Sequence, residues 1–133
     1  TIEASSWVHN GAVLDCSNDL TYTYVQVKGI PDGATITEVD MYWQQAAAGT
    51  GDTKAKVFKR THAGVSTQIG TTITIGGYGA YRNDDVTGLS EVVDHSTNRY
   101  FVQVQAGQGS TYNLDSIKIT YTWTDLLTAI DAG

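Results

Sequence analysis

The side chains best suited to chemistry are concentrated between residues 80 and 88, in the stretch AYRNDDVTG. Calcium takes roughly six to eight oxygen ligands, which Asp, Asn and backbone carbonyls of loops commonly supply. Asn83, Asp84 and Asp85 offer such oxygens, and Asp94 follows in a second loop-like stretch, VVDHSTN. We favour a capped polar turn, in which the two aspartates pair with a nearby arginine. A structural Ca²⁺ held by these four residues is the alternative hypothesis.

The rest of the sequence gives little indication of a catalytic site. A serine nucleophile needs a positioned base, yet there is no GxSxG motif and the three histidines lie in unrelated segments. The single cysteine, Cys16, excludes an intrachain disulfide and a cysteine-rich zinc site. If Asp84 and Asp85 lie in extended chain, their side chains point to opposite faces and make a poor catalytic pair. We therefore predict that the protein is not an enzyme and requires no cofactor.

Composition excludes two further classes of partner. The 133 residues hold 14 acidic and 8 basic side chains, for a net charge of −6, which argues against nucleic-acid binding. In the one basic cluster, KAKVFKR (54–60), the lysines alternate with other residues, as expected for the solvent-exposed face of a strand. No apolar run approaches the roughly 18 residues of a membrane span. The first residue, Thr1, fits either a removed leader or a trimmed initiator methionine.

Short segments of alternating polarity, rich in Val, Ile, Thr, Tyr and Trp, indicate strands. They are separated by turn signals such as PDG (31–33). Alternation with one wet face predicts antiparallel sheets that pack as a sandwich. We therefore predict an all-β, single-domain antiparallel β-sandwich over residues 1–133, with about eight or nine strands. Only 125–131 has a pattern that allows a short helix.

Three segments together resemble a known module. The order V.VKGIPDGATITEVDMYW (25–43), VVDHSTNRYFVQVQA (92–106) and LDSIKITYTW (114–123) resembles a jelly-roll module. Such modules recur in phage virion proteins, such as capsid decorations and tail appendages, and in secreted bacterial surface proteins. The resemblance covers roughly residues 21 to 124 and consists mostly of core patterning. It implies a jelly-roll fold and a structural or adhesive setting, and it carries over no active-site residues.

Loop aromatics are candidates for contact with a partner. Tyr78, Tyr81 and Tyr112 lie in Gly-rich segments, where we expect them to be exposed. Exposed tyrosines suit the stacking of sugar rings, and they are also enriched at protein interfaces. The sequence leaves both uses open. Trp43 and Trp123 alternate with core residues, so we expect them to be buried.

The chain ends, 1–11 and 125–133, are candidate assembly arms. Ile2, Trp7 and Val8 precede the matched segments, and Leu126 and Leu127 follow them. An apolar terminal segment can add a strand to the open sheet edge of a neighbour. The alternative is that both ends pack on their own domain.

These patterns favour one function and leave a rival. The leading hypothesis is a non-catalytic structural subunit of an extracellular or virion assembly, such as a decoration, tail, surface filament or tube. It would associate with copies of itself, or with a virion or cell-surface scaffold, through sheet edges, terminal arms and loop aromatics. The rival is a lectin-like, carbohydrate-binding module that could depend on calcium. In both cases we expect an extracellular or virion-surface location.

Overall fold

A computed structural model describes residues 2–9, 14–16, 22–47, 53–75, 81–105 and 111–124. These residues form ten strands: β1 Ile2–His9, β2 Leu14–Cys16, β3 Tyr22–Gln26, β4 Thr35–Ala47, β5 Thr53–Thr61, β6 Ser66–Ile75, β7 Tyr81–Val86, β8 Glu91–Val92, β9 Asn98–Gln105 and β10 Thr111–Trp123. Over the same residues, no helix is long and apolar enough to cross a membrane.

The strands form two antiparallel sheets. Sheet A has the order β1-β10-β4-β7, with β2 added on β10 and β8 on β4; sheet B has the order β3-β9-β5-β6. Pairing is nested, because β1 and β2 pair with β10, β3 with β9, β4 with β7, and β5 with β6. The chain thus runs as one long hairpin rolled into two sheets, which is the jelly-roll topology. The predicted sandwich is confirmed.

The core lies between the two sheets and follows the predicted alternation. Trp43, Tyr100 and Ile119 are among its largest buried side chains. Each fully buried aliphatic or aromatic side chain contributes about 1.5–3 kcal/mol of transfer free energy. Core residues from sheet A are Ile36, Val39, Met41, Trp43, Val86, Leu114, Ile117, Ile119 and Tyr121, and those from sheet B are Val25, Ala55, Val57, Ile69, Ile73, Tyr100, Val102 and Val104. Trp123 is partly buried and packs against this cluster.

Residues 81–86 of the stretch 80–88 form a strand rather than a turn, which corrects the prediction made for them. Residues 81–86 form β7, paired with β4 at the edge of sheet A. The sequence of β7 shows no clear alternation of apolar and polar residues, because only Val86 among its described side chains is buried. Asp and Asn are also depleted in strands, so composition suggested a turn. Tyr81 and Tyr112 likewise lie in strands, β7 and β10, rather than in loops.

One predicted turn is confirmed. Residues 31–33 form a turn in which the Ala34 amide donates to the Pro31 carbonyl at 3.2 Å. Gly33 has a φ of +80°, a conformation that glycine adopts without steric cost. The candidates Tyr78, Leu126 and Leu127, and the helix considered for 125–131, lie outside the described residues.

Candidate functional site

The outer face of sheet A carries mostly negative charge. We call it the acidic face, defined by the outward positions Glu3, Trp7, Glu38, Asp40, Tyr42, Asp85 and Lys118. One row of neighbours crosses the sheet, because Trp7 pairs with Lys118, Lys118 with Asp40, and Asp40 with Asp85. Among the described outward side chains of the paired strands, four are acidic and one is basic. The opposite faces of these strands supply the core, although Asp84 of β7 lies on the inward side beside Trp43.

Three carboxylates of the acidic face form a cluster. One carboxylate oxygen from each of Glu38, Asp40 and Asp85 lies within 4.8 Å of the others. A hydrogen bond with Asp40 raises the pKa of Glu38; partial burial and repulsion by Asp40 and Asp85 add to it, and Lys118 opposes it. Asp40 is only 6% exposed. The cluster therefore concentrates like charge, which Lys118 only partly offsets.

The four residues predicted as calcium ligands are not brought together. Asp84 accepts a hydrogen bond from the indole Nε1 of buried Trp43 at 2.8 Å, while its neighbour Asp85 joins the acidic cluster. Asp94 caps the turn that follows β8. Its carboxylate accepts hydrogen bonds from Ser96 and Thr97 at 2.6 and 2.8 Å, which lower its pKa.

Asp94 lies beyond the start of β4, whereas Asp85 lies beside its middle. Asp85 pairs with Asp40, whereas the residues just before Asp94 pair near Thr35. At about 3.3 Å per strand residue, that offset along β4 is about 16 Å. Asn83 pairs opposite Tyr42 in the same ladder as Asp85.

Trp7 is the most exposed aromatic side chain of the acidic face, at 47%. Its ring lies 5.7 Å from that of Tyr42, and the Lys118 ammonium lies 5.6 Å from its centroid, within cation–π range. Ile2, at the start of β1, is 37% exposed. Strand β1, residues 2–9, pairs with β10 of the same chain, and Val8 lies at a register shift in this pairing.

The outer face of sheet B carries positive charge and exposed rings. We call it the basic face, defined by the outward positions Tyr22, Tyr24, Gln26, Lys54, Lys56, Phe58, Arg60, Arg99, Phe101, Gln103 and Gln105. Four of these are basic, and no outward side chain described on this sheet is acidic. Because Arg60 pairs directly with Arg99, two guanidinium groups are cross-strand neighbours on the same face. Like charges in that position are destabilising in an isolated sheet.

Four aromatic rings form a continuous strip across the basic face. The ring centroids of Tyr22 and Tyr24 are 6.2 Å apart, and those of Tyr24 and Phe101 are 5.8 Å apart. Phe58 stacks on Phe101 at 5.5 Å. Beside the strip is a groove of about 670 Å³, lined by residues that include Tyr24, Gln26, Arg60, His62, Arg99 and Phe101. The face therefore offers flat apolar area next to cationic donors.

Lys59 of β5 points into the sandwich and has an ion-pair partner, unlike the outward Lys54 and Lys56 among the described residues. Lys59 donates to Glu91 at 2.8 Å across the sandwich, and this hydrogen bond raises the pKa of Lys59. Within the described part of the chain, Lys54, Lys56, Arg60 and Arg99 form no ion pair. Among the described residues, no acidic side chain offsets the charge of the basic face.

Sequence reasoning found Trp7 but missed the aromatic strip. Alternation placed Tyr24 opposite Val25, on the wet face, which is where the structure has it. The signal that could have identified the strip is the repeat TYTY at 21–24 read together with RYF at 99–101. Its recognition requires the pairing of β3 with β9, which the sequence alone does not give.

No protein-family model matches the sequence, and no curated protein matches it. Solved structures do share the fold. A chain from a structure of infectious bursal disease virus, Gx strain, has 8% identity and a TM-score of 0.54, covering 94% of this chain and 32% of its own. This chain therefore spans about a third of the length of that virus chain. Two further solved structures are less similar. A Bacillus endospore appendage pilus protein has 14% identity, a TM-score of 0.47 and coverage of 92% and 89%. TmCBM61, solved with β-1,4-galactotriose, has 12% identity, a TM-score of 0.40 and coverage of 86% and 67%.

Proposed function

We propose that this chain is a non-catalytic, self-associating structural subunit of an extracellular or virion assembly. The observation that carries the proposal is the presence of exposed aromatic side chains on both outer faces. Trp7 is 47% exposed on the acidic face, and Tyr22 and Tyr24 are 47% and 58% exposed on the basic face. Soluble monomers scatter exposed apolar side chains singly, whereas clustered aromatic area marks interaction sites.

Two such surfaces on opposite sides favour assembly over ligand binding. A module that binds one glycan needs one aromatic platform. A subunit that touches a neighbour on each side needs two, and here they lie on the outer faces of different sheets. The jelly-roll topology, present also in a virus structure, is compatible with this role.

The edges of sheet B support the same proposal. Its outermost strands are β3 and β6, and neither carries a charged residue or a proline. Edge strands commonly carry charges or proline, which prevent pairing with other chains. The edge β7 of sheet A does carry charged residues. Unprotected edges are tolerable in a subunit whose edges are covered on assembly.

The proposal is tested by the mass of the particle in solution. Light scattering after size exclusion, with sedimentation velocity over a hundredfold concentration range, should show reversible or stable multimers. Negative-stain microscopy should show rings, shells or filaments of regular spacing. A monomer at every concentration would contradict the proposal.

A second candidate function, carbohydrate binding, is favoured by one feature. The groove beside Phe101 and Tyr24 has a volume within the range of about 300–1,000 Å³ typical of ligand sites, and Gln26 and two arginines are among its lining residues. A glycan array with the labelled chain tests it. Glycan binding by a strict monomer, lost in Tyr24→Ala and Phe101→Ala, would favour this function over assembly.

A further inference from the structure

We propose that the acidic face of one copy docks onto the basic face of the next copy, so that subunits associate head to tail. This inference rests on the proposed function and specifies the surfaces that perform it. The occupant of each face is a second copy of this chain.

Opposite charge on the two faces is the first argument. The acidic face carries four acids and one base, and the basic face carries four bases and no acid, counting the described outward positions of paired strands. Contact between unlike faces is attractive, whereas contact between two like faces is repulsive. Complementary potentials of this kind select the partner and its orientation.

The second argument is that the charge on each face is not fully balanced by opposite charge among the described residues. Asp40 is 6% exposed, and among the described residues its carboxylate has no hydrogen-bond partner outside the acidic cluster. On the other face, Arg60 and Arg99 are cross-strand neighbours, and neither forms an ion pair with a residue that the structure describes. A guanidinium group binds a carboxylate through paired hydrogen bonds. Docking would therefore relieve both concentrations of like charge at once.

Exposed rings beside each charged cluster are the third argument. Trp7 lies at one end of the row that contains Asp40 and Asp85, and Tyr24 and Phe101 line the groove that contains Arg60 and Arg99. Stable interfaces combine an aromatic centre with charged groups at its margin. Each face has both parts.

The dimensions of the faces agree with a repeating contact. Four strands about 4.8 Å apart, each about eight residues long at about 3.3 Å per residue, span about 500 Å². Two such faces bury about 1,000 Å², at the lower limit of specific interfaces. A heterologous contact of two different faces does not close as a two-fold dimer, so it builds a ring, a stack or a filament.

Charge exchange between two variants tests the inference. Arg60→Glu/Arg99→Glu turns the arginine pair of the basic face into an acidic pair, and Glu38→Lys/Asp85→Lys turns two carboxylates of the acidic face into a basic pair. Each variant alone should associate at least tenfold more weakly than the unaltered chain. An equimolar mixture should regain association as an alternating copolymer, because each altered face then meets an unlike one.

Controls separate failure of the inference from failure of the proposed function. Lys28→Glu, an exposed change beyond the end of β3, should associate like the unaltered chain. Circular dichroism and melting temperature should show that all variants fold. As a measurement free of mutation, 1 M NaCl, where the Debye length is about 3 Å, should weaken association of the unaltered chain.

Three outcomes decide between the possibilities. Loss in the single variants with recovery in the mixture supports the inference. Multimers that are insensitive to both variants and to salt overturn it and leave the proposed function standing. A monomeric unaltered chain that binds an acidic polysaccharide such as polygalacturonate through Arg60 and Arg99 overturns both.

Discussion

The two outer faces share one architecture and differ in charge. Each is the wet side of a four-stranded ladder, yet one gathers Glu38, Asp40 and Asp85 and the other Lys54, Lys56, Arg60 and Arg99. The net charge of −6 conceals this separation, because it averages over both faces. The net charge alone therefore does not describe what each surface recognises.

The faces also differ in how their charge is arranged. The acids are packed within 4.8 Å of one another, and one of them is nearly buried. The bases are spread around aromatic rings, with Lys54, Arg60 and Arg99 exposed. We expect single substitutions on the acidic face to change the ionisation of neighbours. On the basic face, we expect them to change contact area and long-range attraction.

The largest expected effect comes from the aromatic side chains. Trp7→Ala and Tyr24→Ala should each weaken self-association by about 2 kcal/mol, or roughly thirtyfold, because aromatic anchors dominate interface energies. Sedimentation velocity measures the change. Val65→Ala, which removes another exposed apolar side chain (61%) at the β5–β6 turn, is the control and should leave association unchanged. Equal effects from all three variants would contradict a localised contact.

A smaller effect is expected for the free energy of unfolding, to which the inward Lys59 should contribute more than the outward Lys54. Lys59→Met removes the 2.8 Å ion pair and leaves the partly buried Glu91 without its partner, so we expect a loss of about 1–2 kcal/mol in the free energy of unfolding. Lys54→Met, on the same strand but exposed, should change it by less than about 0.5 kcal/mol. Urea denaturation of the monomeric state measures both. A larger loss from Lys54→Met would reverse the assignment of faces.

Removal of one charge from the acidic cluster should raise the free energy of unfolding by an amount that depends on pH. A raised pKa means that Glu38 favours folding most below its ordinary value of 4.5, and that this contribution is lost as pH rises through the raised value. Asp40→Asn removes one repelling charge, so it should stabilise the monomer by about 0.5–1 kcal/mol at pH 7. The gain should shrink toward pH 4.5, where Glu38 is protonated.

The measurement is urea denaturation at both pH values, with the Glu38 carboxyl followed by NMR titration. Asp94→Asn is the matched control, because Asp94 lies outside the cluster and its hydrogen bonds lower its pKa. A gain from Asp40→Asn that is the same at both pH values would contradict electrostatic repulsion as its cause.

The smallest expected effect is that of calcium, which stays a prediction. At a concentration equal to a millimolar Kd, Ca²⁺ would stabilise the chain by only about 0.4 kcal/mol. A rise in melting temperature that EDTA reverses should disappear in Asp85→Asn and persist in Asp94→Asn, because only Asp85 belongs to the cluster. Loss of the effect in both variants would instead favour the four ligands predicted from the sequence.

Most of the fold prediction depended on the alternation of apolar and polar residues along each strand. In ATITEVDMYWQ, every second residue from Val39 to Trp43 is buried, because successive strand residues point to opposite faces. The same rule failed for β7, whose polar residues resemble a turn until β4 is present to pair with them. Asp84 illustrates the reason: its partner is the indole of Trp43, which lies 41 positions earlier in the chain.

The sequence by itself determined the β class, the single sandwich, the turn at Pro31–Gly33 and the inward side of each clearly alternating strand. These follow from local period and turn chemistry, which act over a few residues. Only the tertiary structure decided which outward residues share a surface. Asp40 meets Asp85, and Arg60 meets Arg99, through strand pairings that join distant segments. Nested pairing, driven by burial of the whole core, therefore sorted the charges into two opposite faces.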